Sequence, residues 1–331
     1  MLYFIIILGL GFAYINGMHD GGTVVATAIS SRVFSPRKAV VTAGIANLFG
    51  AVLLGTEVAQ TIFANIISID VIHEESRHLC YYFVIASFAG SMLWNVLTWI
   101  IRLPSSASHS LIGSMIGAGI AAYGSGCVQW SSIFFKVILA MLISPLAGFT
   151  CGLLLNKLFV LLLQHGTVVW NRRITVLHKL SNLLLAFSYG SNDSQKVMGL
   201  IAIAVLYGSS GDFEIPLWLI VSAGAALSIG TITGGYNMIK TVGMDICKIN
   251  LQNSFTSQAA TIFVMAAANV TGLPISATQV ITSSVMGVGS SDTPKSVNWP
   301  IAKKILLAWL ITIPVSALVG GLLFSLLMHL Q

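Results

Sequence analysis

Charge is what this sequence has least of. Only 8% of its 331 residues are Asp, Glu, Lys or Arg, while 56% are hydrophobic; soluble domains devote about a quarter of their residues to charge. A water-soluble enzyme and a disordered tail are both excluded, because neither is compatible with so apolar a chain. Cysteine is scarce as well. Cys80, Cys127, Cys151 and Cys247 stand singly in or beside apolar stretches, without the CxxC or Cys/His spacing of a disulfide scaffold or zinc site. The net charge of +6 would invite a nucleic-acid partner, yet no basic stripe with interleaved aromatics occurs, so none is expected. HExxH, the Walker loop and the GxSxG elbow are also missing, which leaves enzyme chemistry and a bound cofactor without residues to carry them.

What is present is a series of apolar runs of roughly 17 to 30 residues, the length of spanning helices rather than of alternating barrel strands. The sequence therefore predicts an all-α polytopic protein of the plasma membrane, with the lipid bilayer as its solvent. A window of about 19 residues picks out ten candidate crossings, near 1–31, 38–58, 79–101, 104–124, 131–156, 181–207, 215–235, 251–271, 272–290 and 300–328. Met1 to Ile15 lacks the basic n-region and cleavage site of a signal peptide and reads as the start of the first span. If Arg32, Arg37 and Lys38 lie in the cytoplasm, alternation also places Arg102, Lys157, Arg172, Arg173, Lys179, Lys240, Lys248, Lys295, Lys303 and Lys304 inside, thirteen of sixteen basic residues. The positive-inside rule favours that orientation. Arg77 and the acidic residues Asp70, Glu74, Glu75, Asp212 and Glu214 fall outside, as do both termini, and Lys136 reads as a snorkelling side chain.

Three crossings do not read as plain anchors. The first carries Asn16-Gly17-Met18-His19-Asp20-Gly21-Gly22, the sixth Tyr189-Gly190-Ser191-Asn192-Asp193-Ser194, and the fourth opens on Pro104-Ser105-Ser106-Ala107-Ser108. Such segments predict broken or re-entrant helices, which a membrane tolerates only where protein or a water-filled cavity satisfies the freed backbone.

The sequence also repeats itself. Leu103 to Gly119 aligns without gaps on Leu273 to Gly289 with seven identities in seventeen positions, among them a Pro, two Ser and two Gly. Gly17-Met18-His19-Asp20 pairs in the same way with Gly190-Ser191-Asn192-Asp193. The spacings agree, with 84 residues from Asp20 to Pro104 and 81 from Asp193 to Pro274. Two halves of about five crossings follow, 1–156 and 181–331, joined by a cytoplasmic linker at 157–180. Five is odd, so the second half enters from the opposite side and the repeats have inverted topology, the architecture of secondary transporters with a site near the midplane.

Asp20 and Asp193 lie within apolar segments, where a charge costs at least about 2.5 kcal/mol by insertion scales, and intramembrane carboxylates are by default functional. An Asp at a helix break can also act as a cap. Asn16, His19, Thr23, Asn192, Ser194 and Gln195 add neutral oxygens and exchangeable protons, which suits a hard cation or a proton. The Pro-Ser elements suit an anion. A helix starting after Pro104 or Pro274 presents free N–H groups and the positive end of its dipole, and Ser106, Ser108, Ser276 and Thr278 bring hydroxyls that can donate to an oxyanion or bond back to their own helix. Lys196 can neutralise Asp193 or attract the anion. His109 and its counterpart Gln279 differ, so no shared catalytic role is expected of them, and His73, His78, His165, His178 and His329 read as solvated.

With the repeats laid out, the sequence resembles the inorganic phosphate transporter (PiT) family, whose members carry a GxND motif and then a PxSTTH-like motif in each half. Beyond GSNDSQKVMG (190–199), the resemblance rests on SSRVFSPRKAV (30–40), NLFGAVLLG (47–55), WNVLTW (94–99) and YNMIKTVG (236–243). It implies an inverted-repeat symporter, commonly dimeric, that imports orthophosphate with Na⁺ or H⁺. By position, His19, Asp20, Thr23, Asn192 and Asp193 would hold the coupling ion, with Asp20 and Asp193 as ligands if that ion is Na⁺. Ser106, Ser108, His109, Ser276, Thr278 and Gln279, with Asn192 and Lys196, would meet phosphate. The chain departs from the family pattern in several places. His19 and Thr23 stand where Asn is usual, Gln258 where many members have Glu, and Ala107 and Ala277 each replace a Thr. His19 beside Asp20 makes proton coupling plausible. Sulfate, another tetrahedral dianion, and a non-transporting phosphate receptor are the alternatives to phosphate symport.

Overall fold

The computed structural model describes residues 1–68, 71–72, 76–164, 169–207 and 214–330. Asp70, His73, Glu74, Glu75, His165 and Asp212, to which loop positions are assigned above, lie outside the described residues. Within them the chain is helical, and the one β pairing is an isolated bridge between Ile67 and Val128.

The first half contains α1 (Leu2–Ser30), α2 (Pro36–Leu53), α3 (Glu57–Asn65), α4 (Arg77–Ile100), α5 (Ala107–Tyr123) and α6 (Trp130–Leu163). The second contains α7 (Val169–Val205), α8 (Leu217–Thr233), α9 (Tyr236–Lys240), α10 (Leu251–Thr271), α11 (Ala277–Asp292) and α12 (Trp299–His329). The order of elements recurs. Each half has a long helix, then a bent pair, a helix leading into an extended segment, a short helix and a final long one. The α2–α3 pair bends by 68° and the pair begun by α8 by 71°. The extended segments 103–106 and 273–276 precede α5 and α11.

The breaks are therefore real but differently placed. Helices α1 and α7 run unbroken through Asn16–Gly22 and Tyr189–Ser194, so Asp20 and Asp193 are mid-helix residues and not caps. Glycine inside a helix costs about 1 kcal/mol relative to alanine, and here it makes room for a neighbour. A Cβ at Gly17 would lie 2.0 Å from the Leu227 carbonyl oxygen on α8, and one at Gly190 would lie 2.1 Å from that of Asn47 on α2. Small residues of this kind let membrane helices approach backbone to backbone.

Packing between the halves is reciprocal. Helix α1 lies along α8 and α7 along α2; α5 lies along α12 and α11 along α6. Helices α1, α4, α6 and α12 are long and apolar enough to cross a bilayer, and the two bent pairs bring the number to six. The other four expected crossings are α5, α7, α10 and α11. Their polar residues point inward, with Ser108, Ser110, Asn182, Asn192, Gln258, Thr261, Thr278 and Thr282 all buried, so these helices form the lining around which the apolar ones are wrapped.

Within the stretch expected to link the halves, 157–163 and 169–180 are helix, continuing α6 and α7. One expectation there needs correction: His178 is not solvated but buried on α7, with Nε2 2.5 Å from Ser254 Oγ and 3.2 Å from Ser31 Oγ.

Candidate functional site

The two Asp motifs and the two Pro-Ser elements meet at the centre of the bundle. Ser106 caps α5 by accepting from the His109 N–H at 3.2 Å, and Ser276 caps α11 by accepting from the Gln279 N–H at 3.4 Å. These caps fix where each helix starts. Their oxygens are occupied, and each hydroxyl hydrogen is left to donate. The loop before α5 is tied from outside by Trp309, whose indole N–H donates to the Pro104 carbonyl at 3.0 Å. The helix starts meet at His109 and Gln279, with Gln279 Nε2 3.4 Å from His109 Nδ1.

Lys196 joins these parts. Its ammonium is buried and donates to Asp193 Oδ1 at 2.5 Å, Ser108 Oγ at 2.5 Å and the Ile275 carbonyl at 2.7 Å. One donor group thereby touches the second-half carboxylate and the Pro-Ser elements of both halves. Three partners for three protons make the burial of this charge tolerable. Asp193 Oδ2 accepts from Asn16 Nδ2 of α1 at 3.2 Å, a second bond between the halves.

Asp20 is held differently. His19 Nδ1 and Asp20 Oδ1 share a hydrogen bond of 2.6 Å, and His19 Nε2 lies 3.3 Å from Thr98 Oγ1, which is 2.8 Å from Ser105 Oγ. Thr23 donates its hydroxyl to the Asp20 carbonyl at 2.6 Å, keeping its lone pairs. The counterpart of His19 is Asn192, which donates to Asn269 Oδ1 at 2.7 Å and to the Leu273 carbonyl at 3.4 Å. The two halves are thus unequal: Asp193 has an ammonium partner, whereas Asp20 has an imidazole.

Several buried oxygens here have no partner, namely Asn16 Oδ1, Asn192 Oδ1, Thr278 Oγ1 and Gln279 Oε1. Buried polar groups are normally satisfied, and unmatched acceptors around a carboxylate are what a small hard cation needs. The described residues contain no group of three or more His, Cys, Asp or Glu able to hold a metal, so oxygens of neutral side chains would have to complete any coordination shell.

Two expected contributors are directed elsewhere. Gln195 Oε1 accepts from the Val58 and Ala59 N–H groups at 2.9 and 3.4 Å, capping α3, and the Ser194 hydroxyl donates to the Gly190 carbonyl at 2.6 Å. Sequence reasoning missed Thr98, Ser105 and Asn269. Thr98 and Asn269 lie on apolar helices six and five residues ahead of Pro104 and Pro274, each a polar residue shortly before a Pro-Ser element, which could have marked them.

A family model described as the phosphate transporter family matches residues 16–176 and 167–320. The chain is 34% identical over 328 residues to a probable low-affinity inorganic phosphate transporter of Bacillus subtilis, covering 98% of this chain and 96% of that one. It is 33% identical over 327 residues to a protein of the same description from Rhizobium meliloti, with 98% and 96% covered. A putative phosphate permease of Pyrococcus horikoshii is 25% identical over 395 residues, with 98% and 97% covered. Among solved structures, one titled the sodium-dependent phosphate transporter superposes with a TM-score of 0.90 at 23% identity, covering 100% of this chain and 99% of the other. At that identity the likeness is one of fold.

Proposed function

The chain belongs to the phosphate transporter family, and we propose that it carries inorganic phosphate into the cell across the plasma membrane by symport with a monovalent cation, Na⁺ or H⁺. The observation that carries this reading is the position of Lys196, which contacts both Pro-Ser elements and sits among the first turns of α5 and α11. A buried ammonium beside two helix starts attracts a tetrahedral oxyanion. Ser106, Ser276 and Thr278 have hydroxyl protons left to donate to the anion, and Ser108, His109, Gln279 and Asn192 complete the lining of the site.

Asp193 serves mainly to hold Lys196, with Asn16 as its second partner. Asp20 is then the carboxylate left for the coupling cation, with Thr23 and the unmatched amide oxygens of Asn16 and Asn192 as its candidate partners. The halves 1–156 and 181–331 are inverted repeats. The recurrence of the same element order and the reciprocal pairing of α1 with α8 and α7 with α2 support this. The Arg32, Lys179 and Lys248 end faces the cytoplasm, as the distribution of basic residues favours.

The test is radiolabelled phosphate uptake into proteoliposomes, with Na⁺ and proton gradients imposed separately and excess unlabelled sulfate as competitor. Accumulation under one gradient and indifference to sulfate are expected. Block by sulfate would assign the same site to sulfate transport, and binding without accumulation would make the protein a receptor.

A further inference from the structure

Thirteen basic residues belong to the end of the bundle proposed to face the cytoplasm, where the sequence supplies Asp245 and Asp292 in return. Among the described residues, ion-pair distances occur at His19–Asp20 and Lys196–Asp193, and neither pair lies at that end. Most of this charge has no counter-charge in the chain, so its partner has to come from outside. We propose that the outward face of the first third of α7 binds an anionic phospholipid of the cytoplasmic leaflet, with Arg172 and Arg173 on the headgroup phosphate and the apolar residues that follow them against an acyl chain.

The two arginines share one concavity of about 500 Å³ with Val169, Trp170, Val176 and Leu177. The Arg173 guanidinium lies over the Trp170 ring, 5.0 Å from its centroid, a stacking that holds the planar fork in place. Val176, Leu177, Leu180 and Leu184 follow at helical spacing on the same face and are 61%, 43%, 52% and 46% exposed. The opposite face, with Ile174, His178 and Asn182, is buried. An apolar stripe left open by its own chain, headed by two guanidinium groups, calls for an occupant with a charged head and a hydrocarbon tail.

Depth along the helix agrees. His178 lies 3.2 Å from Ser31, the residue at which α1 ends, and this contact marks the edge of the hydrocarbon. Arg172 and Arg173 are six and five residues further out, about 8–9 Å along the helix, and a headgroup layer is about 5–8 Å deep. Leu180 and Leu184 fall on the other side of that edge. The charges therefore stand at the level of lipid phosphates and the stripe at the level of acyl chains. Arginine forks chelate a phosphate with paired bonds, and a choline headgroup would bring a cation of its own against them. The same turns present His178, Ser181 and Asn182 inward, bonded to Ser31 of α1 and to Ser254 and Gln258 of α10, so a lipid held outside steadies the turns that join these helices.

Native mass spectrometry of the delipidated full chain, titrated with phosphatidylglycerol or with phosphatidylcholine of the same acyl chains, tests the proposal. A basic residue at an anionic membrane surface counts for about fivefold in affinity. The wild type should take up one phosphatidylglycerol well before phosphatidylcholine binds. Arg172→Gln and Arg173→Gln should each weaken that first adduct about fivefold, and the two together about 25-fold. Lys303→Gln with Lys304→Gln removes the same charge from exposed positions of α12 at this end and should leave the first adduct within about twofold of wild type. Should the arginine double variant not fold, the single variants decide. Equal losses in the arginine and lysine pairs overturn the proposal, because the attraction is then to net charge. Equal uptake of phosphatidylcholine overturns it too, as does displacement of the lipid by millimolar inorganic phosphate or glycerol phosphate, which makes this a site for free anions. A wild-type dimer that the arginine pair converts to monomer with lipid binding unchanged gives the face to a second copy, and the proposal fails.

Discussion

Lys196→Met separates holding the protein together from holding the anion. Methionine keeps an unbranched stem of similar length but removes all three donors. Asp193 is left with the single bond from Asn16 at 3.2 Å, and Ser108 Oγ and the Ile275 carbonyl each lose their ammonium. Deleting one partner of a buried ion pair costs about 3–5 kcal/mol, because the remaining charge is uncompensated. Adding Asp193→Asn removes that charge and should return most of the stability. Affinity should behave otherwise. A hydrogen bond to a charged group is worth about 1.5–3 kcal/mol, which is about 10- to 150-fold in Kd, and the double variant still lacks the donor. Denaturation of the single and double variants in nanodiscs gives one readout, and radiolabelled phosphate binding the other. The expected pattern is stability lost and then regained, with affinity lost in both. A double variant with wild-type affinity would refute Lys196 as an anion ligand and leave it a counter-ion to Asp193. A single variant as stable as wild type would refute the ion-pair argument.

Gly17→Ala and Gly190→Ala place a methyl at 2.0 and 2.1 Å from backbone oxygens of the other half; size-exclusion chromatography should show loss of monodisperse protein, whereas Gly11→Ala, whose methyl meets Met92 at 3.7 Å, should behave as wild type. Trp309→Phe removes the 3.0 Å bond that ties the Pro104 carbonyl, worth about 1 kcal/mol, so the half-saturating phosphate concentration in uptake should rise about fivefold with the maximal rate little changed. Gln258→Leu strips partners from Thr27, Ser181 and Asn182, and denaturation should register a loss of about 1–3 kcal/mol for buried groups left unpaired.

Membrane class, helical architecture and the doubled Asp and Pro-Ser elements were legible because each depends on local composition or on self-similarity. Pro104 and Pro274 announce helix starts through backbone chemistry alone, and Ser106 and Ser276 cap them as that chemistry requires. The glycines at 17 and 190 misled for a physical reason: helix propensity treats glycine as a breaker, while its value here lies in the helix packed against it, which sequence does not display. Gln195 misled similarly, since its partners Val58 and Ala59 are more than 130 residues away. The pairing of Lys196 with Asp193 was within reach at i,i+3. Its contacts with Ser108 and Ile275 were not, because they need the two halves folded together.

The proposed repeats also differ between the two ends of the bundle, which bears on how a transport pathway through it would close. From Asp20 toward Arg32, α1 presents Thr23, Thr27 and Ser31, and facing helices supply His178, Ser181 and Asn182 from α7 and Ser254 and Gln258 from α10, joined by hydrogen bonds. At the aligned positions toward the other end stand Leu200 for Thr27, Ala204 for Ser31, Ile5 for His178, Gly9 for Asn182, Val84 for Ser254 and Phe88 for Gln258. There the ring of Phe88 packs on Phe12 with centroids 5.6 Å apart, inside a buried apolar cluster. Opening the apolar end exposes hydrocarbon to water at about 25 cal/mol per Å². Opening the polar end exchanges protein hydrogen bonds for bonds to water, a nearly balanced trade. The two ends of the bundle are thus sealed by different physics, and the end rich in basic residues is the one that hydrates at the lower cost.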